Sequence, residues 1–146
     1  MRECIFCKII AGTAPCSEVY ADEDILAFMD IHPFRPGHVL VIPREHHQYI
    51  GELPPGRAEQ IMAVGTRVAA ALRESGLPCR GMHMLLNDGP AANQTVPHVH
   101  LHVIPRAGGD IAKLVLQLAK HPVVGLFRPR AREVLDEHAR LIRAQL

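Results

Sequence analysis

The feature that most constrains the fold is one long helical pattern set between short β-branched runs. Four apolar residues recur at intervals of three or four positions, namely Ile61, Val64, Val68 and Leu72. This spacing predicts a helix over residues 57–75, which Gly76 and Pro78 end. An apolar face of that length has to pack against another layer, so the neighbouring runs should supply a sheet.

Five short runs rich in β-branched and other apolar residues predict strands: 17–21, 25–30, 38–42, 81–86 and 98–104. The early connections between them are too short for crossover helices and favour antiparallel pairing. A short helix or turn is expected at 4–11, and two further helices at about 110–120 and 130–144. The expected fold class is α+β, an antiparallel sheet of about five strands packed with one long helix and short N- and C-terminal helices.

Size and charge exclude several classes of function. A chain of 146 residues is expected to form one domain, and its net charge of +1 gives no field that suggests nucleic acid or an anionic membrane as a partner. No apolar stretch is long enough to span a bilayer, and the N-terminus lacks a secretion signal. We therefore expect a cytoplasmic protein with reduced thiols.

Three alternating histidines, His98, His100 and His102, occupy the predicted fifth strand. Side chains two apart on a strand share one face about 7 Å apart, so the three rings should form a row, with Val99 and Leu101 facing the core. Three interpretations remain open. The row is a polar exposed face, a metal site, or a catalytic group in which neutral imidazole is the nucleophile.

The sequence resembles the histidine triad (HIT) family over about residues 4–110. The resemblance rests on five segments: CIFCKII (4–10), AFMDI (27–31), PGHVLVIP (36–43), NDGP (87–90) and QTVPHVHLHVIPR (94–106). It implies a single HIT domain over residues 1–146, with residues 111–146 as a C-terminal helical extension. It also implies a homodimer, with the long helix and a central strand at the interface.

The resemblance further implies a nucleotidyl hydrolase or transferase that works at the α-phosphate of a purine nucleotide through a covalent nucleotidyl-histidine. His100 would be the nucleophile, and the His98 carbonyl would hold its other ring nitrogen. His102 and His38 would contact the phosphate. Two family branches stay open, one acting on dinucleoside polyphosphates and one on nucleoside phosphoramidates. No organic cofactor is implied.

The remaining substrate contacts are implied for two loops. Asp30 would bind the ribose hydroxyls, Ile31 the base, and Asn87 another part of the substrate. Charge on the phosphate oxygens would be stabilised by a loop facing the histidines, formed by Asn93, Gln94, Thr95 and Val96. Asn93 departs from the glycine that is usual in the family, but Asn tolerates the left-handed backbone better than other side chains, so the loop is expected to keep its shape.

The pair Cys4-x-x-Cys7 has several interpretations. Nothing before it suggests the strand of a redox motif, and two buried cysteines packing a short helix are an alternative. A subset of bacterial HIT proteins is similar in this segment and binds a structural zinc ion. The corresponding ligands here would be Cys4, Cys7, His46 and His98. Cys16 and Cys79 have no evident partner.

A rival function of another class also stays open. The chain could be a non-catalytic nucleotide-binding or metal-binding regulator that keeps the pocket without turnover.

Overall fold

A five-stranded antiparallel sheet forms the centre of the computed structural model, which describes residues 4–108 and 129–146. The strands are β1 (Glu18–Ala21), β2 (Ile25–Met29), β3 (Val39–Pro43), β4 (Gly81–Leu86) and β5 (Leu101–Arg106). Their order in the sheet is β1-β2-β3-β5-β4, so β5 lies in the interior and β4 forms an edge. The expected α+β class and antiparallel sheet are confirmed.

Three α-helices are described, α1 (Ile5–Ile10), α2 (Arg57–Glu74) and α3 (Arg132–Arg143), together with two short 3-10 helices at Ile50–Glu52 and Pro90–Ala92. The helices predicted at 4–11, 57–75 and 130–144 correspond to the three α-helices within a few residues. The helix predicted at about 110–120 lies outside the described residues. No helix in the described part of the chain is long and apolar enough to cross a membrane.

The long helix α2 covers one face of the sheet. Its buried residues include the four that its spacing predicted, Ile61, Val64, Val68 and Leu72. They share one core cluster with residues of β2, β3 and β5, among them Val41 and Val103. α3 packs on the same side, since its Leu135, Ala139 and Ile142 belong to that cluster too.

The short helix α1 covers part of the opposite face. Phe6 packs there against Phe28 of β2 with their ring centroids 5.5 Å apart, and Leu26, Leu40 and Ile42 complete this second cluster. The alternation of side chains along β2 and β3 therefore separates the two layers. This packing brings the N-terminal cysteines beside the histidines that precede β5.

The fifth strand begins at Leu101, and the prediction that it starts at His98 is wrong. The register pairs Val41 of β3 with Leu101, which would place Pro43 opposite Val99. Proline has no N–H to donate, so the ladder cannot continue there. The Val99 N–H bonds instead to the carbonyl of His47. His98 and His100 therefore lie in an extended lead-in, and only His102 belongs to the strand.

Gly65 allows α2 to approach β5 closely. A Cβ atom at this position would lie 2.6 Å from Leu101 Cδ2 and 2.9 Å from Met84 Cε. Both distances are shorter than real carbon contacts, so any side chain here has to displace Leu101, which is buried, and Met84, which is partly buried.

Gly65→Ala should therefore destabilise the protein. Overpacking typically costs about 1–3 kcal/mol, and the better helix propensity of alanine returns about 1 kcal/mol. We expect a net loss of roughly 1 kcal/mol in the free energy of unfolding, measured in urea. Thr66→Ala, on the exposed side of the same helix, is the matched control and should show no loss. Equal stability of Gly65→Ala and wild type would contradict the close approach.

Candidate active site and metal site

His98 is oriented by a backbone carbonyl. Its Nε2 lies 2.8 Å from the Pro43 carbonyl oxygen, which can only accept, so Nε2 carries the proton. The unprotonated Nδ1 then faces Cys4 Sγ at 3.6 Å and Cys7 Sγ at 3.8 Å. Burial lowers the pKa of His98 to about 4, so the ring is neutral at pH 7. A neutral ring with a free nitrogen beside two thiols is in the protonation state that can bind a metal ion.

The four expected metal ligands come together. One ligand atom from each of Cys4, Cys7, His46 and His98 lies within 4.8 Å of all the others. His46 Nδ1 is 3.2 Å from Cys7 Sγ. Bond lengths of about 2.3 Å for sulfur and about 2.0 Å for nitrogen give tetrahedral edges of roughly 3.5 Å, close to these separations. The set has the composition and geometry of a structural zinc site.

His100 is held by the backbone of its neighbour. Its Nδ1 lies 2.7 Å from the His98 carbonyl oxygen, so Nδ1–H donates and Nε2 keeps its lone pair. His100 is only 3% exposed, and burial lowers its pKa although the bond to His98 and the nearby Asp30 carboxylate oppose the shift. At neutral pH the ring is therefore uncharged and in a fixed tautomer, with a free lone pair on Nε2.

A hydrogen-bond chain fixes the tautomer of His102. The Phe34 N–H donates to His38 Nδ1 at 3.2 Å, which leaves the proton on His38 Nε2. That Nε2 lies 3.0 Å from His102 Nδ1 and donates to it. The proton of His102 is therefore on Nε2, as a donor. The rings of His100 and His102 lie with their centroids 4.8 Å apart, closer than the expected 7 Å spacing along a strand.

The structure does not support a direct contact between His38 and the substrate phosphate. Its side chain is 0% exposed, and both of its ring nitrogens are already bonded within the protein. His38 directly precedes β3, and its ring lies beside that of His102 with the ring centroids 5.2 Å apart. His38 can act on a phosphate only through His102.

The residues expected to bind the nucleoside follow β2 directly. Asp30 accepts a hydrogen bond from the His32 N–H at 2.9 Å through Oδ1, and its Oδ2 lies 3.6 Å from His38 Nδ1. Ligand atoms of Asp30, His38 and His102 lie within 4.8 Å of one another, so the carboxylate borders the histidines. Ile31 is 42% exposed, so its apolar side chain is accessible from solvent.

The loop expected to hold the phosphate follows β4. Asn93 has φ 61° and ψ 32°, which confirms the left-handed conformation expected from its tolerance for that region. Both polar atoms of the Gln94 side chain already have hydrogen-bond partners. Its Oε1 accepts the Gly89 N–H, and its Nε2 donates to the Gln48 carbonyl. Asn87 Nδ2 lies 3.5 Å from the Asn93 carbonyl oxygen.

The donors left for a phosphate are at Thr95 and Val96. Within residues 4–108 and 129–146, neither the Thr95 hydroxyl nor the backbone N–H groups of Thr95 and Val96 have a hydrogen-bond partner. The side chain of Gln94 is a support for this loop, contrary to its expected phosphate contact.

Two residues of the site were not foreseen. Phe6 packs edge-on against His98 and His100, with centroids 5.8 Å and 5.4 Å away, and shields both rings. Its place between the two cysteines is the signal that could have suggested this. Phe34 acts through its backbone N–H, which no side-chain pattern reveals.

Acid should destabilise the protein through His38. Burial, with His100 nearby, lowers the pKa of His38 from 6.5 to about 3, so between these values the unfolded chain binds more protons. The stabilisation is complete above pH 6.5 and is lost as the pH falls toward 3. At pH 5 the loss is roughly 2 kcal/mol. Urea unfolding at pH 7 and pH 5 measures it, and His38→Gln, which does not titrate, should lose less. An equal loss in both proteins contradicts the assignment.

The fold and the site define an α+β protein in which a histidine oriented by the backbone lies beside further histidines. Comparisons with known proteins identify its family. The HIT domain family model matches residues 11–109. An uncharacterised HIT-like protein of Mycobacterium tuberculosis is 47% identical over 107 residues, 73% of this chain and 74% of that protein. The chain therefore belongs to the HIT family, and the expected resemblance is confirmed.

Two further relatives bear on the site. An adenosine 5'-monophosphoramidase of Schizosaccharomyces pombe is 39% identical over 103 residues, 70% of this chain and 74% of that protein. The crystal structure of a zinc-bound histidine triad family protein from Mycobacterium smegmatis is 42% identical, with a TM-score of 0.80 over 98% of this chain and 92% of that one. Enzymes and zinc-binding proteins thus occur among the relatives.

Proposed function

We propose that this protein is a nucleotidyl hydrolase or transferase that acts at the α-phosphate of a purine nucleotide through a covalent adduct on His100. The observation that carries the proposal is the bond from His100 Nδ1–H to the His98 carbonyl, 2.7 Å long. It directs an uncharged Nε2 lone pair away from the backbone. If the histidines only formed an exposed polar face, there would be no reason for His100 to be buried and held in one tautomer.

The first chemical step forms a bond between His100 Nε2 and the α-phosphorus and breaks the bond from phosphorus to the leaving group. The leaving group departs with the bonding electron pair and takes up a proton from solvent water, while hydrogen bonds from His102 Nε2–H and the Thr95 hydroxyl would stabilise it. Charge on the non-bridging oxygens would be stabilised by donors at His102, Thr95 and Val96. In the second step the oxygen of a water molecule bonds to phosphorus and releases a proton to solvent, and the phosphorus–Nε2 bond breaks with its electron pair on nitrogen, so that His100 leaves as the neutral ring.

Asp30 and Ile31 would select the nucleoside. The carboxylate has acceptor capacity for two ribose hydroxyls beyond its bond to the His32 N–H, and Ile31 offers an apolar contact for the base. The phosphoramidase relative, named for an adenosine substrate, supports a purine and a nitrogen leaving group at phosphorus. Dinucleoside polyphosphates present the same α-phosphate.

The cluster of Cys4, Cys7, His46 and His98 would hold zinc, which would supply a structural cross-link between α1 and the segments that follow β3 and precede β5. Its role would be to fix His98, whose carbonyl orients His100. This assigns His98 a structural and positioning role and leaves it out of acid–base chemistry. Thiolate ligands persist in a reducing compartment, in keeping with the cytoplasmic location that the sequence predicts.

A homodimer is part of the proposal. β4 forms a sheet edge and is partly exposed throughout, and Ile50 and Met62 beside it are 40% and 48% exposed. An apolar groove that includes Met84 and Leu86 lies between this edge and α2. Light scattering should give twice the chain mass, and Met62→Glu should lower it. A monomer at micromolar concentration contradicts this part.

The experiment that tests the function compares turnover of adenosine phosphoramidate with that of diadenosine tri- and tetraphosphate. Release of AMP from any of them, lost in His100→Ala, supports the proposal, and their relative kcat/KM values assign the branch. Tight binding of AMP without turnover of any of the three would support the rival regulator.

A further inference from the structure

The C-terminal segment, residues 129–146, lies beyond residues 11–109 that the family model matches, yet it is bonded to the nucleoside-binding segment. We propose that this segment positions Asp30 and Ile31 in the nucleoside pocket. It does so through hydrogen bonds on both sides of Asp30. This inference rests on the proposed function. It names positioning residues for that site that lie outside the family domain.

The first bond is made directly. The backbone N–H of Arg130 donates to the carbonyl of Ile31 over 2.9 Å. This bond fixes the peptide that joins Ile31 to His32 and therefore constrains the backbone that carries the exposed Ile31 side chain. Arg130 stands two residues before α3, so the position of the helix sets the position of the donor.

The second bond acts through Ser17, which is 2% exposed. The Ser17 hydroxyl donates to Asp136 Oδ1 at 2.5 Å and accepts from Arg132 Nη1 at 3.2 Å, and both partners belong to α3. The Ser17 carbonyl accepts the N–H of Met29, the residue before Asp30, at 2.9 Å. Asp30 therefore lies between one backbone bond that the C-terminal segment makes itself and one made by Ser17, whose side chain that segment holds.

The helix that supplies these bonds is itself fixed. Leu135, Ala139 and Ile142 are buried in the core that α2 and the sheet share. Near the end of the helix, Arg143 Nη1 donates to the Glu18 carbonyl at 2.8 Å. A rigidly docked helix can hold the segment after β2 in one conformation before the nucleoside binds, which lowers the ordering cost of binding.

The phosphate half of the site is held by hydrogen bonds that do not include the C-terminal segment. His100 is held by the His98 carbonyl, and His102 by the chain from Phe34 through His38. Loosening the C-terminal bonds should therefore weaken recognition of the nucleoside while phosphate recognition and the chemical step persist. Loss of one hydrogen bond corresponds to roughly 3- to 10-fold in affinity.

The experiment uses the full chain and two variants. Arg130→Pro removes the N–H donor, and its control Ala131→Pro places proline one residue later, where φ is −57° and suits the ring. Asp136→Ala removes the acceptor of Ser17, and Glu133→Ala is its control on an exposed position of the same helix. Inhibition constants are measured for adenosine and for inorganic phosphate, together with kcat and KM.

We expect adenosine to bind roughly 3- to 10-fold more weakly to Arg130→Pro and Asp136→Ala, with inhibition by phosphate and kcat retained and with both controls like wild type. Unchanged adenosine affinity overturns the inference, as does an equal loss for adenosine and phosphate, which indicates general disruption. If Arg130→Pro does not fold, Asp136→Ala decides. A wild type that binds no adenosine and forms no adduct removes the proposed function itself. Normal wild-type binding with unaffected variants removes only this inference.

Discussion

His100→Ala should lower kcat for an adenylated substrate by roughly 10³-fold or more, because it removes the atom that attacks phosphorus. The change truncates a buried ring, so folding has to be checked by thermal unfolding. The structure provides a control in His83→Ala, a histidine of the edge strand β4 that is not among the site residues. That variant should keep its activity.

A second variant at the same position separates catalysis from packing. His100→Gly leaves a cavity, and added imidazole can enter it and attack in place of the missing ring. Partial recovery of turnover with imidazole, increasing with its concentration, is the expected result. A His100→Ala protein that retains a tenth or more of wild-type kcat would contradict the role of His100 as nucleophile.

Removal of metal should have the second largest effect. If the site is saturated about 1,000-fold over its dissociation constant, binding contributes about 4 kcal/mol, which corresponds to a fall in Tm of roughly 10 °C for a domain of this size. Thermal unfolding with and without a chelator, with zinc measured by atomic emission, checks this. The double variant Cys4→Ser, Cys7→Ser should lose zinc and show the same lower Tm.

The control for this experiment is Cys79→Ser, since Cys79 lies outside the cluster and near the Gly81 carbonyl. It should keep both zinc and Tm. We also expect kcat to fall on chelation, because His98 links the cluster to His100 through its carbonyl. A folded, active protein with no bound metal and a Tm that chelators do not change would disprove the zinc site.

Local patterns predicted much of the fold. The periodicity of Ile61, Val64, Val68 and Leu72 was sufficient to predict α2. Apolar residues at this spacing share one face only if the segment is helical, and that face is buried in the structure. Asn93 was predicted correctly for a similar reason, since left-handed backbone restricts the residue type. The four candidate metal ligands, which are far apart in the chain, were suggested by a family resemblance and not by a local pattern. They lie close together in the structure.

What the sequence could not provide depends on contacts between distant segments. The start of β5 at Leu101 follows from Pro43 on a neighbouring strand, and the burial of His38 follows from its place beneath His102. The Gln94 side chain is used by Gly89 and Gln48, which residue type alone does not indicate. The bond from Arg130 to Ile31 joins residues about one hundred positions apart in the chain.

The central claim is that His100 forms a covalent nucleotidyl adduct. Wild-type protein is mixed with adenosine phosphoramidate, quenched without acid because phosphoramidate bonds are acid-labile, and its intact mass is measured within the first turnovers. We predict a species heavier by one adenylyl group, absent in His100→Ala and located on His100 by peptide mapping. Turnover of the substrate with no adduct on any histidine at the shortest times would contradict the account.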